Sequence, residues 1–138
     1  MSRRVAERPR KLNSRSRRSV RPRVKLWLES GGEPALCPFL SEMLKAVDET
    51  GSIKEAAETV GRSYRFVWSR IKEAERAAGA TLVETHVGGR DTNRSELTPL
   101  ARDLVQTFDA LRDEISRLVE GTYSRQLKDI LRRHARRG

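Results

Sequence analysis

The stretch GSIKEAAETVGRSYRFVWSRIKEAE, Gly51 to Glu75, holds two amphipathic helical patterns separated by one tight break. In the first, Ile53, Ala56, Ala57 and Val60 occupy the i, i+3, i+4 and i+7 positions of a helix that buries one face. Ser52 followed three residues later by Glu55 is a capping box, so the start of that helix is written locally. Gly61 can leave the helix with φ > 0, a conformation that only glycine adopts cheaply. Ser63 can then cap the second helix. A helix-turn-helix is one corner of this kind, and helical bundles contain others.

The second helix separates its side chains cleanly. At ~100° per residue, Val67, Ile71, Ala74 and Ala78 cluster on one side of a helix from Ser63 to Ala78, and that side is core. Arg65, Ser69, Lys72 and Arg76 fall roughly opposite, with Tyr64 and Trp68 at the border. The first helix therefore braces and the second displays. Trp68 is read as a partly buried packing residue ahead of a surface contact. A merely solvated face is the alternative for the three cations, with Glu73 and Glu75 weakening the local field.

The charge of the chain is unevenly placed. Of 29 Lys and Arg in 138 residues, eleven lie in the first 25, against the single acid Glu7. The rest of the chain carries 18 bases and 18 acids, so the formal net charge of +10 belongs to the N-terminal segment. With almost no apolar content, residues 1–22 read as a disordered basic arm. Such an arm is either a solubilising tail or a phosphate-binding one, since a polycation gains free energy by releasing condensed counterions. No amphipathic pattern accompanies it, which favours nucleic acid over a membrane surface. No apolar run approaches the ~18 residues of a membrane span, no signal-peptide core follows the N-terminal charge, and the single Cys37 fits a reducing compartment. The expected location is the cytoplasm.

Around the corner, the order of elements is informative. Val24, Leu26 and Leu28 alternate with Lys25, Trp27 and Glu29 as in a strand, Gly31-Gly32 supplies a turn, and EPALC can return as a second short strand. Pro38 opens a helix carrying Leu40, Met43, Leu44 and Val47 on one side. After the two helices of the corner come the strand ATLVETHV, the polar loop GGRDTNRS and the short segment ELT. Thr98 and Pro99 read as N-cap and first turn of a long helix. Leu100, Leu104, Phe108, Leu111, Ile115 and Leu118 run along it as an apolar stripe, Gly121 breaks the pattern, and a last basic helix is expected from Tyr123 to about Arg133. The expected architecture is mainly α with a small β-sheet. It is a winged helix-turn-helix over residues 23–97, with an N-terminal strand or hairpin. A long helix and basic extension occupy residues 98–138.

In a helix-turn-helix the displayed helix enters the major groove with its N-terminal residues at the base edges. Arg62, Arg65 and Ser69 are accordingly assigned to bases, with Tyr64 beside them, and Lys72 and Arg76 to phosphates. Ser52 and Ser63 are caps whose helix N-termini can also receive a phosphate. Arg90 and Arg94, in the expected wing loop, can reach the minor groove or the backbone, or serve only as solvated loop residues.

The motifs VKLWLE, AVDETGSIKEAAETVGRSYRFVW, TLVETHVGG and LTPLARDLV occur in this order, and with them the chain resembles the N-terminal DNA-binding domain of the ModE family of molybdate-responsive regulators. It is more distantly similar to the winged helix of LysR-type regulators. The resemblance covers about residues 24 to 120. It implies a winged helix-turn-helix that binds operator DNA as a homodimer, with the long helix, and so Leu100, Leu104, Phe108, Leu111, Ile115 and Leu118, contributing to dimerisation. Family wings are glycine-rich after the first pair, whereas here Gly88-Gly89 leads into Arg90-Asp91-Thr92-Asn93-Arg94. ModE regulators carry molybdate in C-terminal β-domains, for which this chain leaves no room, so no molybdate binding and no cofactor are expected of it.

The leading expectation is a sequence-specific DNA-binding regulator. The alternatives are an architectural or RNA-binding protein driven by the arm, and a protein-interaction adaptor using the long helix. Aromatic residues for stacking on single strands are scarce, and several are expected to be buried. An enzyme is not expected. His86 and His134 are far apart with no Cys or His at metal-ligand spacing, and no phosphate loop, nucleophile elbow or paired carboxylates occur. Cys37 reads as a small buried residue.

Overall fold

A computed structural model of the chain describes residues 21–88 and 92–135. Most of the basic arm, the wing tip with Arg90, and the last three residues lie outside them. The order is β1 (Leu28–Ser30), β2 (Glu33–Leu36), α1 (Pro38–Thr50), α2 (Ile53–Val60), α3 (Tyr64–Ala78), β3 (Val83–Gly88), β4 (Thr92–Leu97) and α4 (Pro99–Thr122). A π-helical turn, Tyr123–Leu127, and α5 (Lys128–Ala135) complete it. This is the mainly helical winged architecture expected from the sequence.

The β content is two separate antiparallel hairpins rather than one sheet flanking the helices. In the first, Ser30 pairs with Glu33 across Gly31 and Gly32, whose φ values of 60° and 83° give the doubly left-handed turn that suits a two-residue hairpin loop. The ladder stops at Leu28, so the expected strand from Val24 is shortened. Its partner has only four residues before α1 begins, and nothing remains for Val24 or Leu26 to pair with. Pro34 is tolerated because this is an edge strand.

One core joins α1 to α4, while the π-turn and α5 bury nothing in it. Met43 and Val47 from α1, Ala56 from α2, Val67 and Ile71 from α3, and Ala101 and Phe108 from α4 are all essentially sealed from solvent. Leu36, Leu82 and Leu97 tie both hairpins to it. Ala78, expected in this set, is exposed because it is the terminal residue of α3. Phe108 was expected on a dimerisation stripe; only 1% of it is exposed, so it packs within its own chain instead.

Polar contacts fix α4 against α1. Buried Ser41 donates to Asp109 Oδ1 at 3.0 Å, and Lys45 Nζ donates to Asp109 Oδ2 at 2.6 Å. Partial burial by itself disfavours the Asp109 carboxylate, but the hydrogen bonds from Lys45 and Ser41 outweigh it and hold the group below its ordinary pKa. Arg102 donates to Asp48 at 3.1 Å and makes a second, more exposed link.

Gly121 does not end the long helix. The chain stays helical from Pro99 to Ala135, passing through the π-turn. A lone helical glycine costs only about 1 kcal/mol relative to alanine, and the extra residue of a π-turn absorbs the shift in phase.

Candidate nucleic-acid interface

The α2–α3 corner is built as its local sequence dictates. Ser52 Oγ accepts from Glu55 N–H at 3.2 Å, and Ser63 Oγ accepts from Phe66 N–H at 3.1 Å, so each helix has its N-terminal cap. The capping box is completed differently: Ser52 N–H donates to Thr50 Oγ1 at 3.3 Å instead of to the Glu55 side chain. Gly61 ends α2 at φ 69°, and Arg62 N–H closes back on Ala57 O at 3.0 Å. Both serines are therefore committed as caps.

With Val67, Ile71 and Ala74 drawn into the core, Arg65, Lys72 and Arg76 are exposed on the opposite side and Ser69 is half-buried among them. This is the face that the helical spacing defines. Its cations are not equivalent. Lys72 Nζ lies 2.9 Å from Glu75 Oε1, an ion pair whose angle makes no hydrogen bond, and 5.8 Å from the Trp68 ring centre. Glu75 uses its other oxygen to accept from Leu82 N–H at 2.9 Å, anchoring the turn between α3 and β3. Among the described residues, no carboxylate pairs with Arg65 or Arg76. Tyr64 and Trp68 border the face, 52% and 44% exposed. Trp68 is thus more open than a packing residue, because it sits about 100° from the core-facing Val67.

Arg62 occupies a different place from Arg65. Its guanidinium carbon lies 5.3 Å from the centre of the Phe39 ring on α1 and 5.2 Å from that of Phe66 on α3. The two rings are themselves 6.0 Å apart. Nothing in the local pattern around Arg62 reveals Phe39, which lies on another helix.

The wing, β3–β4, is longer than expected and its loop shorter. Val87 pairs with Asn93 and Gly88 with Thr92, so most of the polar segment read as a loop belongs to a strand. Its polarity disguised it: Asn93 and Arg94 are exposed, and the one residue there that is buried, Ser95, is itself polar. The wing is tied to the helices where Ser95 N–H donates to Gly51 O at 2.8 Å. Arg94, on β4, lies against Gly51 at the α1–α2 turn. Arg90 falls outside the described residues.

The wing also gathers a cluster that sequence spacing hides. Strand register sets Glu96 opposite Glu84, and His86 Nε2 reaches Glu96 Oε1 at 3.0 Å and Glu84 Oε2 at 3.9 Å. One imidazole and two carboxylates, with ligand atoms within 4.8 Å of one another, form the donor set among the described residues that can hold a metal ion. All three side chains are about half exposed and are mutually paired. Cys37 is a half-buried N-cap of α1, its Sγ accepting from Leu40 N–H at 3.5 Å. Among the described residues no helix is long and apolar enough to cross a membrane.

Residues 40–102 match the family of bacterial regulatory helix-turn-helix proteins of the lysR type. The chain is 36% identical over 70 residues to the molybdenum transport protein ModE of Herbaspirillum seropedicae, covering 51% of this chain and 26% of that protein. It is 33% identical over 74 residues to the DNA-binding transcriptional dual regulator ModE of Escherichia coli (strain K12), covering 54% and 28%. The chain thus spans about a quarter of the length of these relatives. Among solved structures, a BenM DNA-binding-domain complex with the benA site 1 DNA aligns at 22% identity and TM-score 0.46, covering 62% of this chain and 90% of that one. Vibrio fischeri DarR in complex with DNA aligns at 22% and TM-score 0.47, covering 68% and 29%. Residues 40–102 thus match the lysR-type helix-turn-helix family, and about half of the chain is similar to the N-terminal quarter or so of ModE regulators.

Proposed function

We propose that this chain is a transcriptional regulator that binds double-stranded DNA sequence-specifically as a homodimer. The observation that carries the reading is the outward face of α3. Arg65 and Arg76 stand open to solvent, with half-buried Ser69 between them, on a helix capped by Ser63 and braced from behind by α2. Such a helix fits the major groove, where an arginine fork can bridge guanine O6 and N7. The ModE relatives, one of them a DNA-binding regulator by name, support the same reading.

The dimer is supported by α4. Phe108 and Val105 face the core, while Leu100, Leu111 and Leu118 stay exposed, the last at 67%. At ~100° per residue these three leucines fall within about 20° of one another, with Leu104 and Ile115 beside them. An apolar stripe along a long helix needs a covering partner, and a second α4 is self-complementary to it. Two copies so joined can present their α3 helices to successive major grooves, about 34 Å apart.

The exposed Trp27, Tyr64 and Trp68 favour a second reading, stacking on single-stranded nucleic acid. Competition among a selected duplex, random duplex and RNA separates the two. The regulator prefers the selected duplex by at least about 1000-fold over random duplex. Equal competition by RNA contradicts it.

A further inference from the structure

The Phe39–Phe66 pair holds Arg62 in a way the recognition face does not require. Both rings stand within 5.3 Å of its guanidinium carbon, one offered by the first turn of α1 and the other by the first turn of α3. Phe66 is about 100° round the helix from Arg65, so the cradle lies on the flank of the outward face. Arg70 also rests on Phe66, at 5.9 Å, but its charge is answered by Glu73 at 3.2 Å. Among the described residues no carboxylate pairs with Arg62. It is an exposed, uncompensated cation whose position is set by aromatic faces.

Ring faces hold a guanidinium through its π-surface and leave its in-plane N–H fork unused. A fork fixed at the side of the helix is matched to a backbone phosphate, which it can grip with two parallel hydrogen bonds. Holding the side chain before binding also removes part of the entropy that an arginine loses on contact. We propose that Phe39 and Phe66 are positioning residues that pre-set Arg62 as a phosphate anchor, fixing how deeply and at what angle α3 enters the groove. This replaces the assignment of Arg62 to a base edge, and it rests on the duplex-binding reading above.

The test is a salt titration of full-length protein on a selected duplex and on a random one, with Arg62→Ala, Phe66→Leu, Phe66→Tyr and the double variant R62A/F66L. The expected result is that Arg62→Ala weakens both duplexes by the same factor and lowers the salt slope by about one. Phe66→Leu keeps the apolar volume and loses the ring. It should weaken both duplexes by about two- to five-fold, the weight of an exposed cation–π contact, while Phe66→Tyr restores them. In the Arg62→Ala background Phe66→Leu should cost nothing more, a coupling that a purely structural role of Phe66 does not produce. Loss confined to the selected duplex, or undiminished loss in the double variant, overturns the proposal. Wild-type protein that binds no duplex at low salt removes the functional reading and this proposal together; wild-type binding without coupling removes the cradle alone.

Discussion

Lys72 Nζ stands 2.9 Å from Glu75 Oε1, so one cation on the outward face of α3 is answered by its own helix. Arg65 and Arg76 have no such partner among the described residues. The face therefore offers two open guanidiniums and one compensated ammonium. Arg65→Ala should cost roughly 1–3 kcal/mol on the cognate duplex and little on random DNA. Lys72→Ala, a phosphate contact already answered by Glu75, should cost less than Arg65→Ala and act about equally on both duplexes. Fluorescence anisotropy on both duplexes checks the order; a larger loss from Lys72→Ala contradicts it.

Asp109 gives a pH prediction. Hydrogen bonds from Lys45 and Ser41 favour its ionised form in the folded chain, so its folded pKa lies below the unfolded value, ordinarily about 3.9. That contribution to stability is fully present above the unfolded value and is lost as pH falls through the folded one. Asp109→Asn should lower the melting temperature at neutral pH, and the gap from wild type should close as the pH drops below about 4. Melts between neutral pH and pH 3 test this; a gap that widens in acid contradicts it.

Two substitutions on α4 should separate folding from assembly. Phe108 is buried in its own chain, so Phe108→Ala should cost about 3–5 kcal/mol of stability. Leu118 is 67% exposed, so Leu118→Glu should leave the melting temperature of the subunit nearly intact while abolishing the dimer. Sedimentation together with melts reads both effects. A Leu118→Glu protein that remains dimeric rules out this stripe as the interface.

The arm yields a prediction from charge alone. Eight Lys or Arg lie in residues 1–20. Removing residues 1–20 should weaken binding and flatten its dependence on salt, because fewer counterions are released. Sequence preference should survive, since phosphate contacts carry no base information. Binding to matched and mismatched duplexes at several salt concentrations checks this, and loss of preference contradicts it.

What could be read along the chain was whatever neighbours in sequence decide. Ser52, Gly61 and Ser63 act within four residues of themselves, so the corner and the outward set Arg65, Ser69, Lys72 and Arg76 were all legible. What stayed hidden depends on distant partners. Thr92–Ser95 are strand only because β3 lies beside them. Glu96 joins His86 only through that register, and Asp109 meets Ser41 across 68 residues. Phe39 holds Arg62 from another helix. Gly121 misled in the opposite way, since a strong local signal was overridden by the helix around it.

The most direct measurement is selection of bound duplexes from a random pool by wild type and by Arg65→Ala. The wild type should recover a motif with two-fold symmetry and half-sites about one helical turn apart, and Arg65→Ala should relax the same position in both halves. A wild-type pool with no enriched motif, or a motif unchanged by the substitution, contradicts the assignment of α3 as the reading helix.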